Sequence, residues 1–427
     1  MLTTAATSAA LIYTAPWIVT GLPQDEPLRD GAIAFDAHGR VLAVDAAVSI
    51  LGRFPGAARR HEQAILFPGL VNAHTHLELS ALRGLTQSGG GFGPWVSGMM
   101  AQRARVHPEQ DAEAIDAAVS ELLRSGTVAL GEVTNTLASV EALATAPILT
   151  RVFHEIFGMQ RAPAEASVAA ARSSEAALTL PAHLAYARAP HTLYSLHPSV
   201  ARGLVREAVA RGAITSLHLA EHPAERAFLR DGSGPFAAFL AARGVPAGDF
   251  VAPGLSPAHY AAELGVLSPA LLAVHLCDAS REELAVVARS GARAVLCPRS
   301  NLFIELKLPP LQDILEVGLR PALGTDSLAS NTTLDVLAEA AALRDRFPRV
   351  RPSEIFAMAS WYGAEALGVS ARVGALRPGL APGLLALDVP EVPPEPFKLL
   401  LRSPPLPRRV LLRPPMPKPG DAFEAAP

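Results

Sequence analysis

AILFPGLVNAHTHLELS, residues 64–80, is the stretch on which the reading of the fold turns. Its opening, AILFPGL at 64–70, reads as an apolar strand leading away from whatever precedes it. His74 and His76 follow at once, and in extended chain a spacing of two turns both imidazoles to the same side. Two convergent imidazoles suit a borderline-soft divalent metal such as zinc or iron. A lone His-x-His pair serves surface or packing roles at least as often, so the case depends on what the rest of the chain supplies.

Before this stretch, ALIYTA, GAIAFDA and RVLAVD are short β-prone pieces separated by Gly, Asp and Pro. After it the texture changes. Ala-rich helical stretches such as 109–124 and 201–211 alternate with the apolar strands TVALGEV, ITSLHLAEH, LLAVHLC, ARAVLCP and RPALGTD. That alternation predicts an α/β fold with a buried parallel sheet, of a length suited to a (β/α)8 TIM-like barrel. Near 370–390 the short-strand, Gly/Pro-rich style returns. The expected organisation is a small composite β-sandwich domain from both chain ends, 1–67 plus 370–417, around a barrel at 68–369. Eleven prolines from residue 391 onward predict edge strands and extended, mobile chain rather than helix.

The 427 residues carry 37 basic and 40 acidic side chains, a formal charge of −3, which offers no electrostatic reason for a nucleic acid or anionic membrane as partner. A small polar substrate fits better. Cys277 and Cys297 each sit in an apolar run and read as buried thiols of a reducing compartment. The N-terminal apolar stretch has no basic leader and breaks at Pro16 and Gly21, and no apolar run reaches the roughly 20 residues of a membrane helix. A cytoplasmic location is the resulting expectation.

His218 closes the strand in ITSLHLAEH, with Glu221 three residues on, and Asp326 ends the strand in RPALGTD. A parallel barrel brings the C-terminal ends of its strands to one mouth, so three imidazoles and a carboxylate distant in sequence can converge there.

In LFPGLVNAHTH, HLAEH, AVH, CPRSN, LGTDSLASN and GALRPGLAPGLLALD the chain resembles the amidohydrolase superfamily, in its cytosine-deaminase-like and chlorohydrolase-like group. The resemblance implies His74, His76, His218 and Asp326 as ligands of one divalent metal, zinc first and iron second. It implies Glu221 as proton shuttle, His275 as a hydrogen-bonding partner of the reacting groups, and Asp326 as an orienting as well as a ligating group. Ser327, Ser330 and Asn331 resemble the loop that keeps the eighth strand end in place. Some relatives bridge two metals with a carboxylated lysine. Here lysine occurs only at 307, 398 and 418, so that bridge is not expected.

VNAHTHLELSALRG, GGGFGPWVSGMM, RVFHEIFG and CPRSN most resemble the branch that deaminates 6-amino-6-deoxyfutalosine (aminofutalosine) to futalosine in menaquinone biosynthesis. S-adenosylhomocysteine and adenosine deaminases of the group show an HxPYT-like loop where this chain is read as SLHPSV, 195–200. Other adenine-nucleoside or guanine deaminases and a chlorohydrolase-type dehalogenase remain alternatives, and a non-enzymatic scaffold is disfavoured because all four ligands are in place. The signature of nucleic-acid deaminases is absent. A purine nucleoside with a distal carboxylate needs a cation, for which Arg83, Arg151 and Arg299 are candidates. Phe92, Trp95 and Phe153 are candidates to stack on the substrate. Glu78, Glu155 and His197 are further candidate contacts, and a homodimer is a family-level expectation.

Overall fold

Residues 9–244, 250–418 and 421 are described by the computed structural model; residues 1–8 of the expected N-terminal unit lie outside them. The strands that carry the site are β1 (Leu70–His76), β2 (Thr127–Thr134), β3 (Leu149–Ile156), β4 (Leu184–Pro190), β5 (Thr215–Leu219), β6 (Leu271–His275), β7 (Arg293–Leu296), β8 (Ala322–Leu323) and β9 (Asp326–Ser327). They form two sheets, ordered β9-β1-β2-β3-β4 and β5-β6-β7-β8. Every ladder within them is parallel. β2 and β3 are buried along their whole length, as strands covered on both faces must be.

The two sheets meet at both edges. The His218 N–H donates to the His191 carbonyl at 3.0 Å where β5 lies beside β4, and Gly324–Thr325 carries the chain from β8 into β9. The architecture is an α/β fold of two parallel sheets, consistent with a distorted TIM-like barrel, with a separate mixed sheet beside it.

Alternation sorts the strand side chains. Phe153 packs inside with Val71, Ala129, Val133, Ala189, Val274 and Val295, whereas its neighbour Val152 packs outside with Ala118 and Leu122 of the helix Pro108–Arg124. Helices open where local chemistry allows. Ser280 caps Arg281–Ser290 in a reciprocal box with Glu283, and Pro198 occupies the first turn of Pro198–Ala210, where its missing N–H costs nothing.

Gly131 sets the approach of β2 to β1, since a Cβ there would lie 2.2 Å from the Ala73 carbonyl oxygen. Backbone cannot yield as a side chain can. Gly131→Ala is therefore expected to destabilise the fold by about 1–3 kcal/mol or more, read as a Tm several degrees lower in thermal unfolding.

Both chain ends build one sheet, as expected, but not a sandwich. Its strands run Arg409–Leu412, Leu384–Asp388, Ala64–Phe67, Leu11–Ile18, Leu28–Phe35, Val41–Ala46, with Ala58–His61 also paired to Leu11–Ile18. Leu384–Asp388 lies antiparallel to Ala64–Phe67. The correction has a simple cause: these seven strands form a single mixed sheet that buries apolar side chains on both faces, Tyr13, Ile33 and Phe35 on one and Ile12, Ala32 and Ala34 on the other. The Pro-rich end also contains one helical turn, Phe397–Leu400, where helix was not expected. Cys277 and Cys297 are buried free thiols. No described helix is long and apolar enough to cross a membrane.

Candidate metal centre and active site

Asn72 begins the construction of the site. Its amide donates to the Thr325 hydroxyl at 2.7 Å and accepts from the Thr325 N–H at 3.1 Å, bridging the break between β8 and β9. The Thr75 hydroxyl donates to the Asp326 carbonyl at 3.0 Å. Asp326 thus pairs opposite Thr75, flanked by His74 and His76. Its Oδ1 lies 3.9 Å from His74 Nε2 and 3.6 Å from His76 Nε2, and the two imidazole nitrogens are 3.2 Å apart. Gly324 permits this approach, because a Cβ there would sit 2.6 Å from the His74 Cβ.

His218, from the end of β5, has its ring 5.0 Å from that of His74 and stacked 5.4 Å from that of His76. One donor atom from each of His74, His76 and Asp326 lies within 4.8 Å of the others, and the same holds for His74, His218 and His275 and for Glu155, His191 and His218. A tetrahedral centre with ligand distances of about 2.1 Å keeps its donors about 3.4 Å apart, and the 3.2–3.9 Å separations among His74, His76 and Asp326 lie close to that. Burial also keeps the donors in ligating form. It lowers the imidazoles of His74, His76 and His218 below the ordinary histidine range, so their lone pairs are available. Burial penalises the Asp326 carboxylate too, but the facing imidazoles and the Ser300 hydroxyl outweigh that and hold it at about 2. Two overlapping donor groups that share His74, one with His76 and Asp326 and one with His218 and His275, suit a divalent cation.

Backbone strain concentrates where these side chains leave their strands. Ala220, His275, Leu276 and Asp326 all have positive φ, at 50°, 77°, 50° and 56°. Non-glycine residues there cost of order 1–3 kcal/mol each and persist only where packing over-determines them.

Glu221 follows Ala220, and its Oε1 lies 3.7 Å from His275 Nε2. Burial raises its carboxyl well above the usual range, and the charges of Asp326 and Glu305 add to the effect. Its backbone N–H donates to Glu225 Oε2 at 2.9 Å, which fixes the start of the loop. The site therefore brings Glu221 and His275 beside His74, His76, His218 and Asp326.

Other expectations are corrected. His197 does not occupy the fourth strand end: it caps Pro198–Ala210, accepting from the Ser199 N–H. β4 stops at Pro190, and His191 stands there instead, its ring 5.1 Å from His218 and 4.2 Å from Phe157. The sequence signal was a strand, ARAP, ending on a histidine, as LLAV ends on His275. Glu78 does not continue the extended chain, because β1 ends at His76 and a 3-10 turn begins. Its carboxylate accepts from the N–H groups of Asn135, Thr136 and Ala138 and the hydroxyls of Thr134 and Thr136, so it anchors the loop after β2.

Arg151 shares a face with Glu155 but lies near the opposite end of β3, where its Nε donates to the Leu367 carbonyl. With Arg293, which bonds the Glu365 and Ala366 carbonyls, it caps the C-terminus of the helix Trp361–Ala366. Phe153 is fully buried one level above it and packs the barrel interior. Arg83 pairs with Glu121 and donates to the Thr332 carbonyl at 3.2 Å. Arg299 donates to Asn331 Oδ1 at 3.0 Å and the Thr332 hydroxyl at 2.7 Å.

The remaining candidates stand around the mouth. Glu155 Oε1 is 3.3 Å from His218 Nδ1, and its Oε2 accepts from the Asn135 amide at 3.0 Å; burial pushes this carboxyl up to about 8. Phe92 stacks on His222 at 3.9 Å, while the Trp95 indole donates to the Ala329 carbonyl at 3.2 Å, so both pin the helix Phe92–Arg103 over the mouth loops. Ser330 donates to Asp326 Oδ2 at 3.1 Å, Ser327 lies 3.3 Å from Ser330, and the Asn331 amide donates to the Thr325 carbonyl at 2.8 Å.

Comparison with known proteins follows the same lines. Residues 65–406 match a family model described as the amidohydrolase family. The chain is 28% identical over 373 residues to the aminodeoxyfutalosine deaminase of a Nitratiruptor species, covering 85% of this chain and 88% of that protein. It is also 28% identical over 394 residues to a 5-methylthioadenosine/S-adenosylhomocysteine deaminase of Nitratidesulfovibrio vulgaris, covering 88% and 83%. Among solved structures it is similar to an adenosine deaminase from Xanthomonas campestris with bound zinc, at 25% identity and a TM-score of 0.76, covering 92% of this chain and 89% of that one.

Proposed function

The chain belongs to the amidohydrolase family, and from that premise we propose that it deaminates 6-amino-6-deoxyfutalosine to futalosine, releasing ammonia, with zinc as its metal. The observation that carries the deaminase reading is the Glu221–His275 pair, 3.7 Å apart, beside the buried His74, His76, His218 and Asp326 set. A divalent metal in that set supplies Lewis acidity toward water and substrate. Glu221 takes a proton from the water as its oxygen adds at the amidine carbon and passes it to the ring nitrogen; the remaining hydroxyl proton then goes by way of Glu221 to the exocyclic nitrogen as the carbonyl forms, the C–N bond breaks and ammonia leaves. His275 Nε2 faces the same space and can hydrogen-bond the oxygen as charge develops on it. Burial of these groups excludes competing water and strengthens each contact.

The substrate assignment is supported by the resemblance in four separate segments and by the relative from Nitratiruptor. Arg83 and Arg299 remain the candidates to read the benzoate, by exchanging a protein partner for the carboxylate. The test is side-by-side kinetics. The benzoate-bearing nucleoside is expected to exceed adenosine by at least about a hundredfold in kcat/KM, roughly 2.7 kcal/mol in transition-state binding. Arg83→Met or Arg299→Met should erode that ratio while sparing adenosine turnover. Equal efficiency on adenosine removes the aminofutalosine assignment.

A second reading, deamination of S-adenosylhomocysteine or a related adenine nucleoside, gains from one observation. His191-Thr192-Leu193-Tyr194 lies at the β4 end, where an HxPYT-like loop would be. The contrast drawn with SLHPSV therefore no longer counts against that group.

A further inference from the structure

The geometry points to Ser300 as a positioning residue that fixes which oxygen Asp326 presents to the imidazole cluster. Ser300 lies in the first turn of the helix Pro298–Glu305, which opens directly after β7 and so begins at the mouth. It is fully buried, as is Ser330. The Ser300 hydroxyl donates to Asp326 Oδ2 at 2.5 Å. A hydroxyl has one proton to give, so the 2.8 Å contact between the two serines makes Ser300 the acceptor there, with Ser330 donating to it or to Oδ2 at 3.1 Å. Oδ2 is thereby occupied and Oδ1 is left facing His74 and His76.

Rotation of the carboxylate would exchange its two oxygens, but only by breaking these bonds where no water can replace them. Asp326 is thus held to offer a single oxygen. The next residue, Asn301, points about 100° further round the helix, and its amide nitrogen lies 3.4 Å from His275 Nδ1. One helical turn thus reaches two strand ends. Without the Ser300 hydroxyl, Asp326 can turn and offer both oxygens, which alters the coordination and the orientation of the reacting water.

This role rests on the metal reading of the four donors and not on the identity of the substrate. The experiment uses the full chain loaded with Co(II), comparing wild type, S300A, S300T and S330A. Wild type is expected to take up one Co(II) per chain. S300A should also bind it, with a shifted visible absorption spectrum, weaker retention against a chelator and kcat lower by roughly tenfold or more, while KM stays near the wild-type value. S300T, which keeps the hydroxyl, should restore the wild-type spectrum. S330A should move the spectrum in the same direction by a smaller amount, and it carries the test if S300A does not fold. Cobalt uptake by wild type with spectrum, retention and kcat unchanged in S300A, or in S330A where that variant carries the test, overturns the role of Ser300 alone. A wild-type chain that takes up no cobalt overturns the metal reading and this role together.

Discussion

Glu221→Gln is expected to lower turnover by roughly 10²–10⁴-fold, the usual contribution of a positioned general acid–base group, while the metal stays bound. The amide keeps the size of the side chain but cannot accept the proton of the attacking water. Glu221 does not contact the expected metal donors; its near neighbour is His275 Nε2 at 3.7 Å. Metal content by elemental analysis should therefore match wild type, and inhibitor affinity should change little. Burial, followed by the charges of Asp326 and Glu305, raises the Glu221 carboxyl well above the ordinary range. A base with a raised pKa is protonated, and idle, at pH values where a free glutamate is already charged. kcat/KM should accordingly fall on the acid side through that raised value, and the limb should vanish in Glu221→Gln. A loss of less than about tenfold would assign the proton transfer to another group, with His275 next in line.

Removing the metal is expected to have the other large effect, a near-complete loss of turnover that Zn²⁺ or Fe²⁺ restores. The donors are buried, and burial lowers the imidazoles of His74 and His218 below the ordinary histidine range, which favours the form that ligates a cation. The cation should also stabilise the fold, because it binds the assembled site and not the unfolded chain. At a free concentration of 100 Kd that linkage is worth about 2.7 kcal/mol. Chelation should thus lower both activity and Tm, and elemental analysis of the restored enzyme should find one metal per chain. Full turnover in a metal-free preparation would sink the metal-dependent reading.

The clustering of His74, His76, His218 and Asp326 was legible in the sequence because a strand-end rule is local: an apolar run that stops on His or Asp in a parallel sheet puts that side chain at the mouth. The same rule would have found His191, but the strand-end histidine was read six residues too late, on His197 rather than just after Pro190. Depth was harder to read than face. Arg151, Phe153 and Glu155 alternate correctly onto one side of β3, yet only Glu155 reaches the level of the histidines, and a period of two carries no information on height. For Glu78 the deciding fact is where the strand stops, and β1 ends at His76. Arg83 and Arg299 depend on Glu121 and Thr332, partners that no local pattern predicts. The terminal β-strands were legible one by one, but whether they close as one sheet or two is decided by pairings between the chain ends.

The Asn72–Thr325 stitch spans 253 residues, and this imposes an order on biogenesis. While the chain is being made, β1 emerges with its histidines long before β9 exists to pair with them. The nascent chain therefore carries an unpaired strand edge and an incomplete set of donors for most of its synthesis, a state prone to aggregation and slow to resolve. Ala64–Phe67 waits longer still, for Leu384–Asp388. The four donors can all be together only once Asp326 has left the ribosome, so acquisition of the cation is a late event in the life of each molecule.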